Sequence, residues 1–184
     1  MILPIYLYGS SVLRQKAQDI TSDYPNLDKL IEDMWETLYF ADGVGLAAPQ
    51  VGLSIRLFMV DGSELSESRP ELKDFKRLII NPRLIESSGE TVVYQEGCLS
   101  LPKIWADIER PVSVKLAYVN RKFEPVEEWF HGMASRMVQH EYSHLEGVLF
   151  TDLAPAIRKK MLQSKLQAIA RGEVETFYKT KIVT

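Results

Sequence analysis

The 184-residue chain is 46% hydrophobic and 26% charged, with a formal net charge of −3. That length suits a single domain, residues 1–184, with a proper core, and leaves too little for two. Near-balanced charge supplies no whole-molecule field for capturing nucleic acid or an anionic membrane, and one cysteine excludes an internal disulfide and fits a reducing compartment.

Met1 to Ser10 has no basic leader and no long apolar run, and nothing later reaches the length of a membrane span, so the expected location is the cytoplasm. Ile2 to Tyr6 reads as an extended end packed onto the domain, because Pro4 argues against a helix. From Asn26 to Phe40, Leu27, Leu30, Ile31, Met34 and Leu38 follow helical spacing, with Glu32, Asp33 and Glu36 expected on the solvent side. The stretch after Asp42-Gly43 is built of small residues and reads as a turn or a place where backbone approaches something closely; Gln50 is its only amide. Ile55–Val60, Leu78–Ile85, Thr91–Tyr94, Val112–Val119 and Phe123–Phe130 read as strands, and 61–76 as a surface loop.

His131-Gly132 then opens a helix that Gly147 closes. On it lies His140-Glu141-Tyr142-Ser143-His144. At about 100° and 1.5 Å per residue, His140 and His144 project roughly 40° apart and about 6 Å along the axis, so both imidazoles can reach one ion. Glu141 is turned about 100° from His140, which suits a base touching water better than a ligand. His131 falls on the opposite face. A catalytic site needs a third ligand and an open position, and the only thiol in the chain is Cys98, in Glu96-Gly97-Cys98-Leu99-Ser100, with a strand-like run after it. Met133 and Met137 share the metal-bearing face, either lining a pocket or serving as ordinary core.

At three separated places the sequence resembles the peptide deformylases: Gly43 to Gln50, Glu96 to Ser100, and Gln139 to His144. The resemblance runs to about Asp152. It implies an α+β fold with antiparallel strands around the helix bearing the histidines, and a metal held by Cys98, His140 and His144. The family is known for iron(II); zinc, nickel or cobalt suit the same donors. The implied reaction removes the formyl group from N-formyl-methionyl nascent peptides and releases formate. Glu141 would be the acid–base group, and Gln50 and the Leu99 N–H would hold the reacting oxygen. Val44 and Gly45 would border the substrate. One departure is Ser143, where the family usually has Asp; that puts hydrogen-bond support of the site in question rather than coordination.

Ala156 to Arg171 reads as a final helix carrying Arg158, Lys159, Lys160, Lys165 and Arg171 without an acid. Ile157, Met161 and Leu162 are expected to face the domain, with Arg158, Lys159 and Lys165 outward. A solvated basic face is one reading and a ribosome contact the other, tested by deleting 156–184 with hydrolysis expected to survive. No sequence-specific nucleic-acid site and no membrane contact are expected, and the chain is expected to be a monomer. Two rivals stay open: a zinc endopeptidase with Glu146, Glu173 or Glu175 as third ligand, and a protein whose metal only staples the fold, which would have no use for Glu141.

Overall fold

The computed structural model describes all of residues 1–184. In chain order the elements are β1 (Ile5–Tyr6), α1 (Leu27–Phe40), β2 (Gly45–Ala47), β3 (Leu57–Asp61), β4 (Lys76–Ser87), β5 (Thr91–Cys98), β6 (Leu101–Pro111), β7 (Ser113–Val119), β8 (Pro125–His131), α2 (Gly132–Leu145), α3 (Ala156–Ala170) and β9 (Thr180–Lys181). Strands β2, β3, β4, β7 and β8 form one antiparallel sheet in that order, β5 and β6 an antiparallel hairpin, and β1 and β9 a short parallel pair. The architecture is α+β, as the sequence implies.

Strand β3 explains how the layers stack. All five of its residues are buried, so it covers a core on each face. Phe58 and Val60 meet Val138 and Leu145 of α2, together with Ile79 and Leu116. Leu57 and Met59 meet Ile31, Met34 and Leu38 of α1 on the other side. Side chains alternate across a strand, so the run of four apolar residues Leu57–Val60 serves two helices at once. Helix α2 therefore lies against the sheet, with its histidine end directed toward the hairpin. Its C-terminus stops at Gly147, whose φ of 72° is left-handed and whose Cβ would fall 2.7 Å from the Arg14 carbonyl oxygen. Only glycine meets both demands.

Several expectations change. The 43–50 stretch is no loop: Gly45–Ala47 is a buried strand, followed by a 3-10 turn over Ala48–Val51. The strand-like run after Cys98 is a full strand, β6, eleven residues long. Asp33 is buried instead of solvated, with its carboxylate 2.6 Å from the Lys29 ammonium. On α3 the buried residues are Leu162, Leu166 and Ile169, at helical spacing, packed on Ile104, Ala106 and Ile108 of β6. Ile157 and Met161 are 74% and 65% exposed, the reverse of their expected role. Arg158 is not free either, since its guanidinium donates to the Trp105 carbonyl at 2.6 Å. Deleting 156–184 would thus open a core, and that segment is not separable from the fold.

No helix is long and apolar enough to cross a membrane.

Candidate metal centre

Helix α2 and the β5–β6 turn bring Cys98, His140 and His144 together, with one donor atom from each within 4.8 Å of the others. Cys98 Sγ lies 3.4 Å from His144 Nε2, and the two imidazole rings are 5.2 Å apart at 72°. This is the set expected from the sequence. His131 is elsewhere, stacked on Trp129 and bonded to Ser113. The endopeptidase alternatives are spent on other partners: Glu146 takes the buried Arg56 at 2.8 Å and Glu173 pairs with Arg171. Glu175 lines the cavity wall and is outside the donor cluster.

The donors are chemically ready for a soft-to-borderline divalent ion. Burial, then the neighbouring His140, hold His144 well below the usual histidine range, which favours the neutral imidazole a metal needs. Its Nδ1 is buried without a hydrogen-bond partner. Burial opposes charge on His140 as well, yet the nearby Cys98 sulfur and the hydrogen bond to Glu96 push it up to about 10. A metal ion bound by the same sulfur and imidazoles would displace the proton from this ring, because the ligands bind in their deprotonated forms. Three protein ligands and an open cavity match a catalytic site; a closed structural site would need a fourth.

Sequence reasoning missed the scaffold behind His140. Glu96, 5% exposed, accepts from His140 Nδ1 at 2.9 Å, from Arg110 at 2.7 and 3.0 Å, and from Arg136 at 2.6 Å. Burial alone would raise this carboxyl, but hydrogen bonds from His140 and Arg110 hold it well below the usual carboxylate range. The carboxylate fixes the ring so that Nε2 faces the cluster. One signal was available: Arg136 lies four residues before His140, on the same helical face. Ser143 also finds its place here. Its hydroxyl accepts from Arg110 at 3.1 Å and donates to the Gln139 carbonyl at 2.9 Å, so support persists through a neutral group where the family usually has a charged one.

Glu141 is 5% exposed, and its Oε2 has no hydrogen-bond partner. Burial pushes this carboxyl up to about 7. It is not among the three donors, and it lines the cavity of about 600 Å³ that also exposes Cys98 and His140. Gly45 makes room for it, because a Cβ there would sit 2.4 Å from Glu141 Oε1. Gln50, 1% exposed, accepts from the Ala47 N–H at 2.9 Å, which turns its amide nitrogen toward Ser100 Oγ at 3.1 Å and Cys98 Sγ at 3.5 Å. No hydrogen bond within the chain uses the Leu99 N–H. Val44, Met133 and Met137 line the same cavity, and both methionines also belong to the core beneath it.

A buried acid poised near neutrality, an aimed amide donor and a three-donor cluster in one cavity can perform hydrolysis of a carbonyl compound. Comparison with known proteins points the same way. The sequence profile of the family described as Polypeptide deformylase matches residues 2–160. The chain is similar to the peptide deformylase of Christiangramia forsetii, 45% identical over 98% of this chain and 96% of the relative. It is also similar to that of Flavobacterium psychrophilum, 44% identical over 100% and 98%. Among solved structures, the peptide deformylase of Thermus thermophilus superposes with a TM-score of 0.83 at 34% identity, covering 94% of this chain and 99% of that one. The Thermotoga maritima enzyme gives 0.76 at 43%, covering 84% and 99%.

Proposed function

The chain belongs to the polypeptide deformylase family, metalloenzymes that remove the N-terminal formyl group from nascent peptides, and on that basis we propose that it cleaves formyl-methionyl peptides to formate and a free amine. It is a hydrolase. The observation that carries the reading is Glu141: a buried, unpartnered carboxyl one residue from His140, sharing a cavity with the three donors.

Cys98, His140 and His144 would hold the metal, for which iron(II) is our choice, with zinc, nickel and cobalt able to take its place. When bound, a divalent ion supplies a Lewis acid and a water whose pKa falls to about 7. Glu141 removes the proton from the water oxygen as it attacks the formyl carbon. Gln50 Nε2 and the Leu99 N–H donate to the oxygen on which negative charge develops. Glu141 then hands its proton to the methionine nitrogen as the carbon–nitrogen bond breaks, and formate departs. Val44 and Gly45 border the peptide, and Met133 and Met137 floor the methionine pocket.

The test is direct. Formate should be released from formyl-Met-Ala-Ser, while acetyl-Met-Ala-Ser should be cleaved at least about tenfold more slowly, since an acetyl carbonyl is a weaker electrophile and brings an extra methyl group. Equal cleavage of both, or none of either, would remove the deformylase reading.

The chain would act in the cytoplasm as a monomeric, single catalytic unit. A ribosome contact on α3 would now use the exposed Lys159, Lys160 and Lys165 around Ile157 and Met161, because Arg158 and Arg171 are engaged within the chain. Reversing the three lysines to Glu should abolish low-salt co-sedimentation with ribosomes and spare formate release. Sedimentation that survives the reversal puts the contact elsewhere.

A further inference from the structure

Residues 172–184 lie beyond the stretch that the family profile matches, yet they are fastened down. The Ile5 and Leu7 amides donate to the Lys179 and Lys181 carbonyls at 2.9 Å each, the Ser11 amide donates to the Val183 carbonyl at 2.9 Å, and the Val183 amide donates to Ser10 Oγ at 3.2 Å. Between α3 and this anchor, Glu175–Tyr178 form one wall of the cavity that holds Cys98 and Glu141. The Tyr178 hydroxyl donates to the Leu99 carbonyl at 2.8 Å, so the tail is tied to the residue next to a metal donor. Phe177, 69% exposed, packs obliquely on Phe40 at the end of α1, with ring centres 6.3 Å apart, and edge-on against Tyr178 at 5.3 Å.

From this placement we infer that the C-terminal tail is the wall that reads the residues following formyl-methionine, with Phe177 as an apolar shelf favouring a large apolar side chain there. The inference rests on the deformylase reading. A peptide must enter with its formyl end at Glu141 and Cys98, and each further residue extends roughly 3.3–3.6 Å away from them. Its second and third residues therefore pass the segment fixed to Leu99. An aromatic face that is open to solvent at the mouth of a cavity and held by two other aromatic rings gives such side chains area to cover at little ordering cost.

The experiment compares formyl-Met-Phe-Phe with formyl-Met-Gly-Gly for the metal-loaded full chain, Phe177→Ala and Phe177→Leu. The full chain should prefer the Phe peptide by about tenfold in kcat/KM, chiefly through KM. Phe177→Ala should bring that ratio close to one, and Phe177→Leu should restore most of it. An unchanged ratio in Phe177→Ala, or a Leu variant that behaves like Ala, overturns the role of the tail. Formate release from the Gly peptide by the unaltered chain separately decides the reading beneath it.

Discussion

Glu141→Gln is expected to lower turnover by about 10²–10⁴-fold, the range that general acid–base catalysis supplies. The amide has the shape of the acid and cannot carry the proton from water to leaving nitrogen. The position makes this the severest single change. Glu141 follows His140 directly, but the helical turn takes it off the donor face, into a buried setting where Oε2 meets no partner. Burial raises the carboxyl to about 7, so near neutrality it can both accept and release a proton. Steady-state formate release checks the effect. A loss of less than about tenfold would mean that another group moves the proton.

Gln50→Leu should lower kcat by about 10²–10³-fold, as loss of one donor to a developing oxyanion does elsewhere. It should also cost stability, because the Ala47 N–H would lose its acceptor in a buried strand, a penalty of about 1–3 kcal/mol. Thermal unfolding and steady-state kinetics of Gln50→Leu, the latter measured where the variant is fully folded, separate the two effects. A lower melting temperature, together with a kcat that stays low at temperatures where the variant is fully folded, is the expected outcome. A change confined to KM would mean that Gln50 holds only the ground state.

Much of the donor set could be read from the chain because helical spacing is rigid: residues four apart on one helix must share a face, whatever surrounds them. Cys98 followed from chemical need, as the only thiol. What escaped were features fixed by tertiary contact. The full extent of strand β6 is one: its alternation is clean, but it places Trp105 outward and Arg110 inward and carries prolines at both ends, which inverts the polarity rule and obscures the period. Glu96, Arg110 and Arg136 have charges that composition assigns to the surface, and they are buried only because they satisfy one another across three elements. On α3, Ile157 and Met161 look like core, while the true inner face is the Leu162, Leu166, Ile169 stripe. The tail escaped entirely, since its two-residue pairing with β1 has no local signature.

The central claim is a division of labour within five residues of helix: His140 and His144 hold metal with Cys98, and Glu141 does not. Metal content of the anaerobically purified chain, Glu141→Gln and Cys98→Ala, measured side by side by elemental analysis, tests it most directly. The account predicts about one equivalent in the unaltered chain and in Glu141→Gln, and a large loss in Cys98→Ala. Loss of metal in Glu141→Gln, or full retention in Cys98→Ala, would contradict it.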